Sequence, residues 1–250
     1  MIEAKKINSF LIPSIVDILF ISLFLYLSFS VGKGLLNDGD TGYHIRAGEY
    51  ILNTFSIPKR DIFSFLTPPI PWTAHEWLSE VIMAMVHRSF GLTEVVIFFS
   101  FLISSVYYLL FKILRKNNND ILITAFIVIL VLGASKIHWL ARPHIFSLLL
   151  MLIWYYILDE YQYNHKNYLY FFPPMMLLWV NLHGGFLGGF ILIGIYLFGN
   201  TVKFIASKDS QRENYKKKVM LFSLITIACL FVCLINPYGY RILLFPFNLV

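Results

Sequence analysis

The chain has 250 residues, of which 58% are hydrophobic, 18% aromatic and only 14% charged, and its mean hydropathy is +0.69. A soluble domain of this size needs a largely polar surface, so the composition excludes an ordinary soluble protein. The net charge of +6 does not by itself indicate nucleic-acid binding, because basic residues also set the topology of membrane proteins. Cys229 and Cys233 lie four residues apart in an apolar run, which indicates buried thiols and no disulfide framework. We therefore predict an all-α polytopic membrane protein with one transmembrane domain, residues 1–250.

Apolar runs recur along the chain, and a membrane-spanning helix needs about 20 mostly apolar residues. Several runs are shorter than this, so their helices are expected to extend into flanking aromatic residues. The first run is predicted to be an uncleaved span, because it is too long for a signal peptide and lacks a small-x-small cleavage site. An eighth run begins at residue 242. The seven predicted spans lie at residues 10–31, 93–111, 121–134, 145–158, 168–180, 186–205 and 219–235.

The lysines and arginines divide unevenly between the two sides of this arrangement. If the spans alternate, more than half of the 20 basic residues fall on one side, which the positive-inside rule makes cytoplasmic. Residues 203–218 then form a basic cytoplasmic loop that either anchors the topology, the favoured interpretation, or binds anionic lipid. The basic residues on this side are Lys5, Lys6, Lys112, Arg115, Lys116, Lys166, Lys203, Lys208, Arg212, Lys216, Lys217 and Lys218.

The opposite, noncytoplasmic side carries most of the titratable residues. It receives the long first external loop, residues 36–92, and every histidine except His165 falls in or near it. Several loops that bring ionisable side chains to one membrane face predict a polar site there. The residues concerned are Asp38, Asp40, His44, Glu49, Asp61, His75, Glu76, His138, His144 and His183.

The first external loop is predicted to contain two interfacial helices. Apolar residues recur at helical spacing in "TGYHIRAGEYIL", which is typical of an amphipathic helix at residues 41–53. A proline-rich segment then interrupts regular structure. The second helix is predicted at residues 73–90, because Thr73 and Glu76 match the S/T-x-x-E capping box that begins many helices.

The order of segments in this region resembles the GT-C membrane glycosyltransferases, especially the family that includes the protein O-mannosyltransferases and the bacterial lipid A aminoarabinose transferases. The motifs that carry the resemblance are "DGDTGYHIRAGEYIL", "PWTAHEWLSEVI" and "RSFGLTE", followed by "ARPHIFSLLL" and "WVNLHGGFLGGF". Together they cover roughly residues 10–200, and the ordered set is more specific than any single motif. One position departs from the family: its usual Asp-Glu pair is Asp40-Thr41 here, with another acid at Asp38. Family members are longer, so the chain is expected to be a fragment or a shortened form.

The resemblance implies a GT-C module and an inverting transfer of sugar from a polyprenyl-phosphate donor to a glycan, lipid or protein acceptor. The reaction would take place on the noncytoplasmic face of a bacterial cytoplasmic membrane, as part of cell-envelope synthesis. Asp40 would be the general base or would orient the acceptor, since such a transfer needs a group to take the hydroxyl proton. Asp40 could equally be the N-cap of a helix beginning at Thr41, and both roles are compatible. Asp38 and Asp40 together could bind a divalent cation, Mg²⁺ or Mn²⁺, because paired carboxylates suit a hard metal.

Further residues are candidates for binding the substrates. Arg142 could hold phosphate oxygens, or its side chain could extend to the lipid headgroups. His183 could touch a ligand or form a hydrogen bond between helices, and the four glycines that follow it in "HGGFLGG" indicate close helix packing. Glu76 could bind substrate, or it could serve only as the acidic residue of the capping box. The full set of predicted substrate-binding residues is His44, His75, Glu76, Arg142, His144, His183 and Arg241.

A transporter and a non-catalytic membrane scaffold are the alternatives. A transporter concentrates polar residues near the bilayer midplane, whereas only Asp17 is charged well inside a predicted span, nearer its cytoplasmic end. A scaffold has no need for several ionisable loops at one face. Both comparisons favour the enzyme.

Overall fold

A computed structural model describes residues 13–65, 67–116 and 119–247 of the chain. The predicted beginning of the first span and the last residues of the eighth apolar run lie outside the described residues. The structure is all-helical, with 78% helix and no strands in the described part. One isolated bridge, between Arg60 and Pro71, is the nearest approach to β-structure there.

The α-helices follow the predicted order. Short 3₁₀ segments connect several of them, at Gly32–Leu36, Lys136–His138, Leu169–Phe171, Gly184–Phe186 and Phe245–Phe247. Helix α1 continues as a π-helical turn at Tyr26–Ser30. The helices are α1 (Ile15–Leu25), α2 (Asp40–Thr54), α3 (Trp77–Phe90), α4 (Leu92–Arg115), α5 (Ile121–Ser135), α6 (His144–Asn164), α7 (Phe172–Leu182), α8 (Leu187–Ala206), α9 (Asp209–Cys233) and α10 (Arg241–Leu244).

Among the described residues, three helical segments are long and apolar enough to cross a membrane. They are Leu92–Arg115, Ile121–His138 and Gly184–Ala206, and Ile15–Ser30 and Leu169–Leu182 are shorter apolar helices. The two ends of α6 and the first half of α9 carry polar and charged residues, which lowers their mean hydropathy. The prediction of a helical protein with transmembrane segments is therefore supported, while the count of seven spans remains a prediction.

Large apolar side chains cover the outward faces of the apolar helices. On α5, Leu122, Phe126 and Ile129 are exposed, and on α8 Ile191, Phe198 and Ile205 are exposed. Contiguous apolar surface of this kind is rare on soluble monomers, because water does not solvate it favourably. It suits contact with lipid, which is consistent with the apolar length of both helices.

Asp17, the charged residue inside the first predicted span, marks the start of α1. Its carboxylate accepts a hydrogen bond from the Ser14 backbone N–H at 2.9 Å, and the Ser14 hydroxyl caps the helix in return. This reciprocal capping box satisfies two backbone donors that a helix beginning otherwise leaves free. Asp17 therefore lies at a helix end, where its charge needs no partner within the bilayer.

Two buried apolar clusters hold the helices together. The first lies mainly between α1, α4 and α6, and the second lies between α6, α7, α8 and α9. In the second, Trp154 stacks on Phe172 with ring centroids 3.8 Å apart. A side chain at Gly189 would meet Trp179 at 3.0 Å, so the predicted role of this glycine in close packing is confirmed. Cys229 and Cys233 are buried and free, as predicted.

The two ends of the helices differ in their polar contacts. At one end, Lys116 pairs with Asp159 at 2.5 Å and with Glu160 at 2.7 Å. Lys166 contacts the same Glu160 at 3.2 Å, and Lys218 donates to the Gln162 carbonyl at 2.8 Å. These three lysines were predicted to share one side of the membrane, and they lie at one end of the bundle. The other end holds the candidate site.

Helices α2 and α3 pack unusually closely where Gly48 meets α3. A Cβ atom built on Gly48 would lie 1.9 Å from the Glu80 carbonyl oxygen and 2.7 Å from Ala84 Cβ. The backbone atom cannot move aside as a flexible side chain could. Gly48 therefore sets the separation of the two helices that carry His44 and Glu80.

We expect Gly48→Ala to lower the free energy of unfolding by about 1–3 kcal/mol, the usual cost of overpacking. Thermal unfolding in detergent measures the change. Gly42→Ala is the control, because this glycine lies on the same helix and a Cβ atom added to it would meet nothing within 4 Å. In a helix, replacing glycine with alanine stabilises by up to about 1 kcal/mol when space permits. Equal effects of the two substitutions would contradict the close packing.

Candidate functional site

Four loops meet at the end of the bundle that is opposite the lysine contacts. Thr41 donates to the Ala141 carbonyl at 3.1 Å, and Ser79 donates to the Leu182 carbonyl at 2.6 Å. The Tyr238 hydroxyl accepts a hydrogen bond from the Ala74 N–H at 2.9 Å. The first external loop is thereby tied to the segments before α6, between α7 and α8, and after α9. Residues far apart in sequence consequently lie at one face, as the distribution of ionisable residues predicted.

A cavity of about 390 Å³ opens between these loops. Four of the predicted substrate-binding residues line it, and they come from three separate segments of the chain. Both polar and apolar side chains line it, as in many small-molecule sites. The lining residues are Glu76, His138, Leu140, Arg142, Pro143, His144, Ser147, Leu148 and His183.

Glu76 occupies the centre of this site and does not act as a capping-box acid. Helix α3 begins at Trp77, and no side chain caps its first turn, so the predicted helix start at Thr73 and the predicted capping box were wrong. The buried Glu76 carboxylate instead lies 3.3 Å from His183 Nε2 and 3.6 Å from His75 Nε2. The contacts within this polar cluster stabilise the Glu76 side chain more than a capping hydrogen bond at the end of helix α3 would. Burial raises the pKa of Glu76 to about 8, with a further contribution from the charge of Glu80.

His44 lies fully buried between two carboxyl groups. Its Nε2 is 3.6 Å from Glu76 Oε2, and its Nδ1 is 3.5 Å from Glu80 Oε1. Burial lowers the pKa of His44 to about 4 and raises that of Glu80 to about 8. Neutral forms of all three groups are therefore favoured at neutral pH. Neither ring nitrogen of His44 has a hydrogen-bond partner within the described residues, so this cluster is polar but incompletely paired.

Glu80 was not predicted as a site residue, although the sequence contains a signal for it. Glu76 and Glu80 are four residues apart, so on a helix their side chains lie on one face. Glu80 is also flanked by apolar residues in "LSEVIMAM", where an exposed glutamate would be out of place. Its partner His44 comes from another helix, which the spacing alone cannot indicate.

Ser147, His183 and Glu76 form a chain of contacts whose hydrogen-bond directions are determined. The Trp179 indole N–H donates to Ser147 Oγ at 2.7 Å, and the Gly185 N–H donates to His183 Nδ1 at 2.8 Å. Nδ1 is therefore an acceptor, so the Ser147 hydroxyl donates to it at 2.8 Å. The ring proton is then on Nε2, which faces Glu76. His183 thus both lines the cavity and forms a hydrogen bond between helices.

Gly185 permits this arrangement by its lack of a side chain. A Cβ atom at this position would lie 2.5 Å from Ser147 Oγ and 2.8 Å from His183 Nδ1. The predicted close packing is therefore confirmed for Gly185 as well, whereas a Cβ atom at Gly184 would make only an ordinary contact with His75 at 3.9 Å. Ser147 itself was not predicted, although it lies one helical turn after His144 on α6, on the same face.

Arg142 pairs with Asp38 and Asp40, the two aspartates of the motif "DGDTGYHIRAGEYIL". Its guanidinium lies 2.8 Å from Asp38 Oδ2 and also pairs with Asp40 Oδ2. The structure therefore favours neither of the two roles predicted for Arg142, since its charge is taken up by two carboxylates. It also places a cation where the predicted Mg²⁺ or Mn²⁺ would bridge Asp38 and Asp40, so these residues do not fit a metal site.

Asp40 does not have the capping role that was predicted for it, because the N-cap of helix α2 is Gly39. Helix α2 begins at Asp40, one residue earlier than predicted, and the Asp38 carboxylate accepts the Asp40 N–H at 3.0 Å. Asp40 lies beside the cavity, half-exposed, and is held there by Arg142. It remains able to offer its second carboxylate oxygen to a ligand.

The other predicted residues surround this centre at different distances. The His144 ring nitrogen is 2.9 Å from the His138 carbonyl, and its ring centroid is 6.5 Å from that of His183. His75 lies on the other side of Glu76, with its ring 4.5 Å from that of Phe245. Arg241 does not line this cavity and lies instead in a neighbouring one, on the Phe245 side of His75.

Comparisons with known proteins give no match, whether to a family model, to a curated protein or to a solved structure. The resemblance to GT-C transferases therefore depends on the ordered motifs alone. Assignment of a function depends on those motifs and on the chemistry of the cavity.

Proposed function

We propose that this chain is a membrane glycosyltransferase that transfers a sugar from a polyprenyl-phosphate donor to a hydroxyl acceptor. The observation that supports this most strongly is Glu76, a buried carboxyl group with a pKa near 8 in a cavity at the helix ends. A general base works best when its pKa lies near the operating pH. The order of the motifs in the first external loop gives independent support.

In the proposed reaction, the Glu76 carboxylate takes the proton from the acceptor hydroxyl. The hydroxyl oxygen attacks the anomeric carbon of the sugar, and the bond between that carbon and the phosphate oxygen breaks. The bonding electrons leave with the polyprenyl phosphate, and the configuration at the anomeric carbon inverts. Ser147 and His183 hold Glu76 in place through the contacts described above.

Asp40 has the acceptor-orienting role in this proposal. Arg142 already pairs with one oxygen of its carboxylate, which fixes the side chain at the cavity edge. Its second oxygen can accept a hydrogen bond from the acceptor at the cavity edge. This assigns proton removal to Glu76 and orientation to Asp40, whereas the resemblance implied one or the other of these roles for Asp40.

A transporter is the main alternative, and the location of the ionisable groups bears on it. Transporters place their substrate sites near the bilayer midplane. Here Glu76, His144 and Arg142 lie at or beyond helix beginnings, in segments joined by loops. This arrangement suits a substrate that enters from the membrane surface.

The proposed location of the site is the noncytoplasmic face of a bacterial cytoplasmic membrane. A single cysteine at Asn53 should then react with an impermeant reagent from outside, and one at Glu213 only after the membrane is opened. Both positions are exposed, and the two native cysteines are buried and can be replaced by alanine. Reaction of both positions from the same side would contradict the topology.

Lipids that co-purify with the protein test the proposed donor class. We expect mass spectrometry of the detergent-purified protein to detect polyprenyl-phosphate lipids, enriched over the membrane extract. An unrelated helical membrane protein purified in the same way from the same membranes should lack this enrichment. Equal amounts in both preparations would indicate carry-over. Ion-gradient-dependent uptake into proteoliposomes, without such lipids, would favour the transporter.

A further inference from the structure

A second cavity, of about 650 Å³, lies on the other side of His75 from the first. It is bounded by the proline-rich part of the first external loop and by the segment around the start of α10. The reaction steps described above assign no role to its residues. They are Lys59, Pro71, Trp72, Thr73, Pro237, Tyr238, Tyr240, Arg241, Leu244 and Phe245.

Backbone hydrogen bonds hold the walls of this cavity in place. The Trp72 N–H donates to the Lys59 carbonyl at 3.0 Å, and the Asp61 N–H donates to the Ile70 carbonyl at 2.9 Å. These bonds pair the two sides of the loop and bring Lys59 next to Trp72. The bond from Ala74 to the Tyr238 hydroxyl then joins this loop to the opposite wall. The cavity is therefore built from hydrogen-bonded segments and not from loose surface side chains.

All of the charged residues that line the second cavity are basic. Lys59 and Arg241 both line it, and no aspartate or glutamate does. Neither cation forms an ion pair with any described residue, in contrast to Arg142, which binds two carboxylates. Two cations in one concave site without a counter-charge attract an anion, and arginine matches phosphate oxygens well.

Aromatic rings form much of the remaining wall. Trp72, Tyr238, Tyr240 and Phe245 all line the cavity. The electron-rich faces of such rings pack favourably against the C–H groups on the flat side of a sugar ring. Phe245 also contacts His75, whose Nε2 is 3.6 Å from Glu76. A ligand in the second cavity would thus lie one side chain away from the proposed base.

We propose that the second cavity binds a phosphorylated sugar, with the phosphate held by Arg241 and Lys59 and the sugar ring against the aromatic wall. This inference deepens the proposed function. It rests on that function in one respect, namely that the bound sugar phosphate is the donor of the reaction. Arg241 was predicted to bind substrate, and its partner Lys59 was not. The phosphate-binding role considered for Arg142 passes to these two residues.

Calorimetric titration of the purified protein in phosphatidylcholine nanodiscs with mannose 1-phosphate tests this inference. We expect Arg241→Gln and Lys59→Gln each to weaken binding by about tenfold, the loss expected for one charge-assisted hydrogen bond. Arg60→Gln is the matched control, because it removes the same charge from the adjacent residue, which does not line the cavity. It should change the affinity by less than about twofold, since an exposed charge outside the site is screened. Melting temperatures of all three variants show whether each is folded.

Two further ligands and a lipid-linked form complete the experiment. Inorganic phosphate and methyl mannoside should each bind more weakly than mannose 1-phosphate, because each lacks half of the proposed contacts. Polyprenyl-phosphate mannose in the same nanodiscs should compete with the soluble ligand if the source is a lipid, and should fail to compete if the source is a free sugar phosphate. Either result agrees with the proposed ligand chemistry.

The inference would be overturned by equal affinities in Arg60→Gln, Arg241→Gln and Lys59→Gln, or by no binding at millimolar ligand. Binding without any sugar transfer would support this site while contradicting the proposed function. Sugar transfer that is unaffected by Arg241→Gln and Lys59→Gln would support the proposed function while contradicting this site. The two proposals can therefore fail separately.

Discussion

Glu76→Gln is expected to reduce sugar transfer by about 10²-fold or more, within the range that general-base catalysis contributes. The melting temperature at pH 7 should change little. Burial raises the pKa of Glu76 to about 8, so the folded protein holds this group mainly in its neutral form, which glutamine imitates. Loss of activity without loss of stability is the signature of a catalytic carboxylate. Initial rates and thermal unfolding of the same preparations measure the two quantities.

The pH dependence of transfer provides a second measure of the same residue. Only the ionised form of Glu76 can accept a proton, so the rate of transfer by the native protein should rise with pH toward about 8 and then level off. The residual activity of Glu76→Gln should lack this rise. If transfer by the variant depends on pH as strongly as transfer by the native protein does, the base is another group.

Asp40→Asn and Glu49→Gln are the comparison variants. Asp40→Asn should affect the KM for the acceptor more than kcat, because this residue is proposed to orient the acceptor. Glu49 lies on the same helix, contacts Arg46 and His87, and does not line the cavity, so Glu49→Gln should leave transfer unchanged. If Asp40→Asn instead lowers kcat by about 10²-fold while Glu76→Gln does not, Asp40 is the base.

The free energy of unfolding is expected to fall as the pH rises from 6.5 to 8. Glutamates in the unfolded chain lose their proton near pH 4.5, whereas burial keeps Glu76 and Glu80 protonated in the folded state up to about pH 8. The stability contributed by these protons is complete below pH 4.5 and is lost as the pH approaches 8. Each group contributes a slope of up to about 1.4 kcal/mol per pH unit.

The chosen pH window separates the glutamates from the buried histidines. Burial lowers the pKa of His44 from 6.5 to about 4 and that of His183 to about 3. Their contribution to stability is complete above pH 6.5 and is lost only as the pH falls toward those values. As the pH rises from 6.5 to 8 the histidine contribution therefore levels off, and the loss of stability toward pH 8 comes from the carboxyl groups.

Chemical or thermal unfolding at several pH values measures this slope. Glu80→Gln should remove about half of it, because one of the two shifted groups is gone. Glu49→Gln again serves as the control and should leave the slope as in the native protein. Stability that is constant across this window, or that rises with pH, would contradict the burial of two protonated glutamates.

The helices of the first external loop could be predicted because their signals are local. An amphipathic pattern predicted residues 41–53, and the observed helix is Asp40–Thr54. The start of the next helix was placed too early, at Thr73, because the capping-box pattern considers only neighbouring residues. In the folded chain the Glu76 side chain has stronger partners, His183 and His75, which lie outside that helix.

The composition of the site could be predicted better than its contacts. The clustering of His44, His75, Arg142, His144 and His183 at one face followed from the alternation of spans and loops. The pairing of Arg142 with Asp38 and Asp40 did not, because it depends on how the loop before α6 lies against α2. Ser147 was missed for the same reason, since its partner His183 is 36 positions away. Contacts between side chains on different helices depend on how the helices pack, and a single sequence contains little information about that packing.

The most direct test of the proposed function is the transfer reaction of the purified native protein. The protein in nanodiscs would be incubated with a polyprenyl-phosphate-linked radioactive sugar and a soluble hydroxyl acceptor, and free polyprenyl phosphate and glycosylated acceptor would be measured together. We predict that the two products appear in equal amounts, and that both disappear with Glu76→Gln. Equal product formation by the native protein and Glu76→Gln, or no product with any lipid-linked sugar that the protein binds, would contradict the account.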